Sequence, residues 1–212
     1  MLELDRIYNM DCLHGMKEIP DKSIDLVLTD PPYNVGKDYG NNFNDSKSRQ
    51  EFIDWMKPRF IEMKRISKTI IISGQGRLAD YALIEPWKWL LAWWKPSAMG
   101  RSPVGFCNWE PLAMWGKGCN NGVDIIKAVI KPDKKLDGHP CPKPLGWAEE
   151  IIKLFKDANV VCDPFIGSGT TAIACKKLNR HYIGFEINPE YCDIAEKRLL
   201  NIPERLETFS LK

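Results

Sequence analysis

Apolar residues along the chain recur with two different periods, and the periods sort it into strands and helices. Ile24-Asp25-Leu26-Val27-Leu28-Thr29 is a short apolar run that ends at Asp30, as a buried strand does. Pro31-Pro32 stops it, because neither proline can donate to a sheet ladder. From Glu51 to Ile66, Phe52, Ile53, Met56, Phe60, Ile61 and Met63 fall at helical spacing; Pro58 inside this run predicts a kink or an early break. Thr69 to Ile72 is β-branched and ends at Ser73-Gly74, which reads as a strand followed by a turn. Trp89 to Trp94 and Phe106 to Trp115 are aromatic-rich and read as strands of the same sheet. Asn120 to Gly138 is polar, with Gly, Asp, Lys and Pro, and reads as a loop or small insertion.

Regular alternation resumes in the last third. Leu145 to Phe155 reads as a helix and Val160-Val161-Cys162 as a strand. That strand leads into Asp163-Pro164-Phe165-Ile166-Gly167-Ser168-Gly169, and Thr170 to Leu178 follows as a helix. Tyr182 to Phe185 is a strand that ends at Glu186, and Pro189 opens a further helix through Leu200, at the position proline favours. Strand, glycine-rich turn, helix, strand, acid is the order of a nucleotide-binding βαβ unit, so the fold class expected is α/β.

Composition narrows the setting more than the function. A chain of 212 residues suits one α/β domain, or one domain with a modest insertion. The seven cysteines form no C-x-x-C pair and their number is odd. This argues against a zinc site or a disulfide framework and for a reduced, cytoplasmic setting, with no metal. No apolar run is long enough to cross a membrane, and residues 1–10 do not resemble a signal peptide. A net charge of +2 neither announces nor forbids a nucleic-acid partner. The basic stretches Lys127–Lys143 and Lys95–Arg101 can lie along phosphates or be solvated loops.

Two segments carry candidate chemistry. The Asp163–Thr171 turn lets backbone approach a ligand closely, and Glu186 stands where an acid accepts hydrogen bonds from ribose hydroxyls. Asp163-Pro164 occupies the place where a dinucleotide site wants glycine. A carboxylate there repels a pyrophosphate but can hold an ammonium, so a ligand with a ribose and a charged amine, S-adenosyl-L-methionine, fits better than a dinucleotide. The plain alternative is a strand–turn–helix connection with incidental glycines.

The second segment is Asp30-Pro31-Pro32-Tyr33, directly after a strand. An exocyclic amino group on a base is a poor nucleophile, because its lone pair is delocalised into the ring. The Asp30 carboxylate and the Pro31 carbonyl can accept both amino hydrogens, and the prolines hold those acceptors in place before the substrate arrives. Tyr33 offers a face on which a base extruded from the duplex can stack. The alternative is a strand end and turn with Tyr33 as core.

Together these residues resemble the amino-group DNA methyltransferases, which modify adenine N6 or cytosine N4. Asp30-Pro31-Pro32-Tyr33 precedes Asp163-Pro164-Phe165-Ile166-Gly167-Ser168-Gly169-Thr170-Thr171, the order of the circularly permuted beta class. Asn9-Met10-Asp11-Cys12-Leu13, Trp109-Glu110-Pro111-Leu112 and Gly138-His139-Pro140-Cys141-Pro142-Lys143-Pro144 resemble three further family segments. The last has Cys-Pro where the family has Thr-Gln.

The resemblance implies a Rossmann-like methyltransferase fold, with a mostly parallel sheet flanked by helices and the catalytic half before the cofactor half. It implies a base site of Asp30, Pro31, Pro32 and Tyr33. The S-adenosyl-L-methionine site it implies comprises Asp11, Cys12, Asp30, Lys143, Asp163, Phe165, Gly167, Ser168, Gly169, Thr170, Glu186 and Ile187, with Lys143 partnering the cofactor carboxylate.

Residues 117–137 are the only room for a minimal target-recognition insertion. Double-stranded DNA is the expected partner, a homodimer the expected assembly, and a prokaryotic cell or phage the expected source. Adenine is favoured over cytosine because the family's cytosine members more often carry Ser in place of Asp30. RNA or protein amino-methyltransferases and an inactive binding module are the rival readings; the motif order and the intact motif residues weigh against them. A nucleophilic cysteine belongs to ring-carbon chemistry with a different motif context. Of the clustered tryptophans, alternate ones are expected in the core, and an exposed one can stack on DNA.

Overall fold

The computed structural model describes residues 2–37, 39, 45–96, 101–119, 122–129 and 143–202. In chain order the elements are β1 (Arg6–Asn9), α1 (Cys12–Lys17), β2 (Ile24–Thr29), α2 (Arg49–Ile66), β3 (Ser67–Ser73), α3 (Leu78–Ile84), β4 (Trp89–Trp94), β5 (Arg101–Ser102), β6 (Gly105–Phe106), β7 (Trp109–Gly116), β8 (Ile125–Lys127), α4 (Leu145–Leu154), β9 (Val160–Asp163), α5 (Thr170–Lys177), β10 (His181–Glu186) and α6 (Pro189–Leu200). Eight strands form one sheet in the order β1-β10-β9-β2-β3-β7-β4-β8. Every neighbouring pair is parallel except the two made by β7, which runs antiparallel to β3 and to β4.

Both faces of the sheet are covered, which explains why β2, β3 and β9 are apolar without alternation. Helices α1, α2 and α3 bury Met16, Phe52, Met56, Phe60, Met63 and Tyr81 on one face. Helices α4, α5 and α6 bury Trp147, Ile151, Ile152, Ile173 and Leu199 on the other. β2 and β9, from the two halves of the chain, lie side by side. Their carboxyl ends, Asp30 and Asp163, therefore come together where an open α/β sheet binds its ligands.

Local expectations were corrected in four places. Pro58 lies inside α2, but the helix runs unbroken from Arg49 to Ile66, held at its start by a capping box of Ser48 and Glu51. Its buried stripe against the sheet outweighs one lost backbone hydrogen bond. Phe106 is not in the main sheet: it belongs to the β5–β6 hairpin, and β7 begins at Trp109. The stretch read as loop contributes the three-residue edge strand β8, parallel to β4. The chain also starts with an edge strand, β1, beside β10. Of the expected insertion at 117–137, only 117–119 and 122–129 fall within the described residues, and His139 to Pro142 lie outside them. No helix among the described residues is long and apolar enough to cross a membrane.

Candidate active site

A cavity of about 450 Å³ opens at the carboxyl ends of β1, β2, β9 and β10, a size within the usual range for small-ligand sites. Asp30, Pro31, Pro32 and Tyr33 all line it. So do Asp11, Cys12, Lys143, Asp163, Phe165, Gly167, Ser168, Thr170, Glu186 and Ile187. Gly169 is the one expected cofactor residue that does not. It is the N-cap of α5 at φ +82°, and a Cβ there would meet the Cβ of Ala195 at 2.8 Å, so its role is a turn packed against α6.

The cofactor-side loop is built around two acids. Asp163 is buried; its Oδ1 accepts from Thr29 Oγ1 at 2.6 Å and Phe165 N at 3.1 Å, and its Oδ2 accepts from Thr171 Oγ1 at 2.6 Å. The Thr29 bond ties the end of β2 to the end of β9, which locks the two motifs together. Glu186 accepts from the Gly167 and Asn188 amides at 3.0 and 2.8 Å. Among the described residues no lysine or arginine pairs with either acid. Burial pushes Asp163 up to about 6, and burial also raises Glu186 against the pull of its amide partners. Phe165 faces Trp55 at 5.6 Å between ring centroids, forming an apolar wall. Asp11 lies at the rim, capping α1 through Leu13 N at 2.7 Å and pairing with Arg59 at 2.6 Å.

The catalytic-side loop is held from outside. Arg77 donates to the Tyr33 and Asn34 carbonyls at 2.5 and 2.9 Å, and Asp45 accepts from the amides of Asn34, Val35 and Lys37. Asn34 sits at φ +55°, a left-handed turn that asparagine tolerates. Within the loop, Tyr33 OH donates to Asp30 Oδ1 at 2.5 Å. Burial, with the nearby Asp30 charge, raises the Tyr33 phenol well above its ordinary value, so it stays a donor.

Lys143 is in the cavity wall, but its ammonium lies on the catalytic side. It is 3.3 Å from Asp30 Oδ1, 3.2 Å from Glu110 Oε2 and 3.1 Å from Tyr33 OH. Its carbonyl accepts from Thr170 Oγ1 at 3.1 Å, which anchors this segment to the start of α5.

Several site residues went unnoticed in the sequence. Arg59 falls on the otherwise apolar stripe of α2, and a cation in that register was the available signal. Thr29 and Thr171 are hydroxyls next to the two motifs. Glu110 and Lys95 each lay in a segment the sequence singled out, but their partnership gave no signal, since it depends on the β4–β7 register. Cys12 lines the cavity, but burial pushes its thiol up to about 12, so it is not a thiolate nucleophile at neutral pH. Trp93 and Trp115 are core, whereas Trp89, Trp94 and Trp109 are exposed.

This geometry matches a defined class of protein. The structure of M1.HpyAVI in complex with SAM superimposes with a TM-score of 0.65 at 23% identity, over 93% of this chain and 99% of that one. The cytosine-N4-specific PvuII DNA methyltransferase superimposes at 0.74 with 20% identity, over 93% and 87%. The fold is that of the S-adenosylmethionine-dependent DNA methyltransferases.

In sequence, a family model described as DNA methylase matches residues 24–95 and 88–197. Type II methyltransferase M.HinfI of Haemophilus influenzae is 30% identical over 99% of this chain and 73% of its own length. M.HpaI of Haemophilus parainfluenzae is 27% identical over 92% and 74%. The chain belongs to the amino-group DNA methyltransferases, the family that methylates adenine N6 or cytosine N4.

Proposed function

We propose that this protein transfers a methyl group from S-adenosylmethionine to the N6 amino group of adenine in double-stranded DNA. One observation carries the reading: Asp30, at the end of β2, faces the same cavity as the buried Asp163 and the half-buried Glu186, and Thr29 joins the two motifs directly. The donor set fits the cofactor, because a buried and a half-buried carboxylate, with no cation partner among the described residues, suit a ligand that brings an ammonium and ribose hydroxyls. In this assignment Asp163 takes the ammonium and Glu186 the ribose. Asp11, Cys12, Phe165, Gly167, Ser168, Thr170 and Ile187 complete the wall. When bound, the cofactor supplies an electrophilic methyl group on a sulfonium.

This chain's residues then prepare the nucleophile. Asp30 and the Pro31 carbonyl accept the two amino hydrogens and draw the nitrogen lone pair out of conjugation, and Tyr33 stacks on the base. Positioning and fixed acceptors supply most of the rate, and no covalent enzyme intermediate is needed. Asp30 is the residue that favours adenine over cytosine.

The test is tritium transfer from labelled S-adenosylmethionine to unmodified genomic DNA, followed by digestion to nucleosides. Label in N6-methyladenosine is the expected result. Label in N4-methylcytidine would keep the mechanism and correct the base. Absence of label in DNA would sink the reading.

A further inference from the structure

Beside the base site, four charged side chains form a line that is buried at Lys95 and Glu110 and reaches the cavity at Asp30. Lys95 Nζ is hydrogen-bonded to Glu110 Oε1, and Lys143 Nζ lies 3.2 Å from Glu110 Oε2. Lys143 Nζ is also 3.3 Å from Asp30 Oδ1. The side chains of Lys95, Glu110 and Lys143 are only 7%, 8% and 15% exposed. Trp93 lies under both ammoniums, 5.2 Å from Lys95 and 5.3 Å from Lys143. Two acids alternate with two lysines, so the line is neutral, which is the condition under which charges can be buried at all.

The Lys143 ammonium is the junction of this line. An ammonium has three hydrogens; Lys143 donates to Glu110 Oε2 and Tyr33 OH and forms an ion pair with Asp30 Oδ1. Each Glu110 oxygen serves one lysine. Tyr33 OH accepts from Lys143 while donating to Asp30 Oδ1, which closes a triangle. Both donors to Asp30 therefore converge on one oxygen. Oδ2 has no partner among the described residues, and Asp30 lines the cavity. A carboxylate gripped at one oxygen by two donors cannot turn about its Cβ–Cγ bond, so the direction of the other oxygen is fixed. Burial works to lower the Lys143 pKa, but the charges of Asp30 and Glu110 outweigh it and raise it, so the grip persists at neutral pH.

We propose that Glu110, anchored by Lys95, is a positioning residue that holds Lys143 on Asp30 Oδ1, leaving Oδ2 as the acceptor for the amino group of the base. This places Lys143 with the catalytic carboxylate rather than with the cofactor carboxylate. The inference rests on the methyl-transfer reading above, and the test separates the two.

The experiment measures single-turnover methyl transfer and, separately, S-adenosylmethionine affinity without DNA, for the wild type, Lys143→Met, Glu110→Gln and the double variant. Thermal unfolding checks that each is folded. Lys143→Met should slow transfer about 100-fold, the scale of a misplaced catalytic group, with cofactor Kd changed less than about threefold. Glu110→Gln, isosteric and uncharged, should slow it about tenfold, as loss of an orienting partner does. In the Lys143→Met background, Glu110→Gln should add less than about twofold, since both act through one ammonium.

A cofactor Kd weakened more than about tenfold in Lys143→Met, with transfer near wild type once the cofactor is saturating, would overturn the proposal. So would effects that multiply in the double variant. If Lys143→Met does not fold, Glu110→Gln decides alone, and an unchanged rate overturns the proposal. If the wild type methylates no DNA, the functional reading fails. The cofactor titration then still assigns Lys143: retained affinity supports its place on Asp30, and lost affinity contradicts it.

Discussion

The two halves of the cavity hold their carboxylates in opposite ways. On the catalytic side, Asp30 and Glu110 are matched by Lys143 and Lys95, so the charges cancel within the chain. On the cofactor side, Asp163 and Glu186 are held by hydroxyls and backbone amides, and no cation of the described chain reaches them. Neutral donors orient a buried carboxylate without cancelling its charge, and burial accordingly raises both groups. The two halves thus differ in the source of their counter-charge. The catalytic half has its charges paired before any ligand arrives, and in the proposed reading it presents a fixed acceptor to a neutral base. The cofactor half is left without a cation among the described residues, and in the proposed reading a positively charged ligand completes it.

Substitutions in each half should separate these roles. The largest effect is expected at Asp30. Asp30→Ala should lower methyl transfer about 100- to 1000-fold, the usual consequence of removing a preorganised charge-stabilising group. Cofactor affinity should stay within a few-fold, because in this reading Asp30 acts mainly on the base. Turnover near wild type in a labelled-methyl assay would remove Asp30 from the mechanism. Glu186→Ala should act the other way, weakening cofactor binding by about 1–3 kcal/mol through lost hydrogen bonds to a charged group. Transfer at saturating cofactor should change much less. Unchanged affinity by calorimetry would mean that the ribose is held elsewhere.

The same contrast explains what the sequence could reveal. The cofactor half is local: Asp163, the glycine-rich turn and Glu186 lie within one βαβ unit, so spacing alone places them. Asp30 to Tyr33 was legible because proline stops a strand in a recognisable way. The acid–lysine line was not, because it joins residues from β2, β4, β7 and the segment before α4 whose meeting depends on an antiparallel register. Lys143 was found by its motif, but its partners lie 110 and 33 residues away in sequence. The elements missed were short edge pieces. β1 and β8 have only four and three residues, too few to show a period. Pro58 misled because the packing of an 18-residue helix outweighs one local preference.

If the cofactor half receives its cation from the ligand, binding must shift the protonation of Asp163. Burial pushes Asp163 in the folded chain up to about 6 from its ordinary 3.8. Its stabilising contribution to the ligand-free protein is therefore full below about 4 and is lost as pH rises through 6. A bound ammonium reverses this by favouring the ionised form. Calorimetry of S-adenosylmethionine binding at pH 6, in two buffers of different ionisation enthalpy, should show net release of up to about half a proton. Asp163→Asn should abolish the release. No proton release by the wild type, or the same release by Asp163→Asn, would contradict the account.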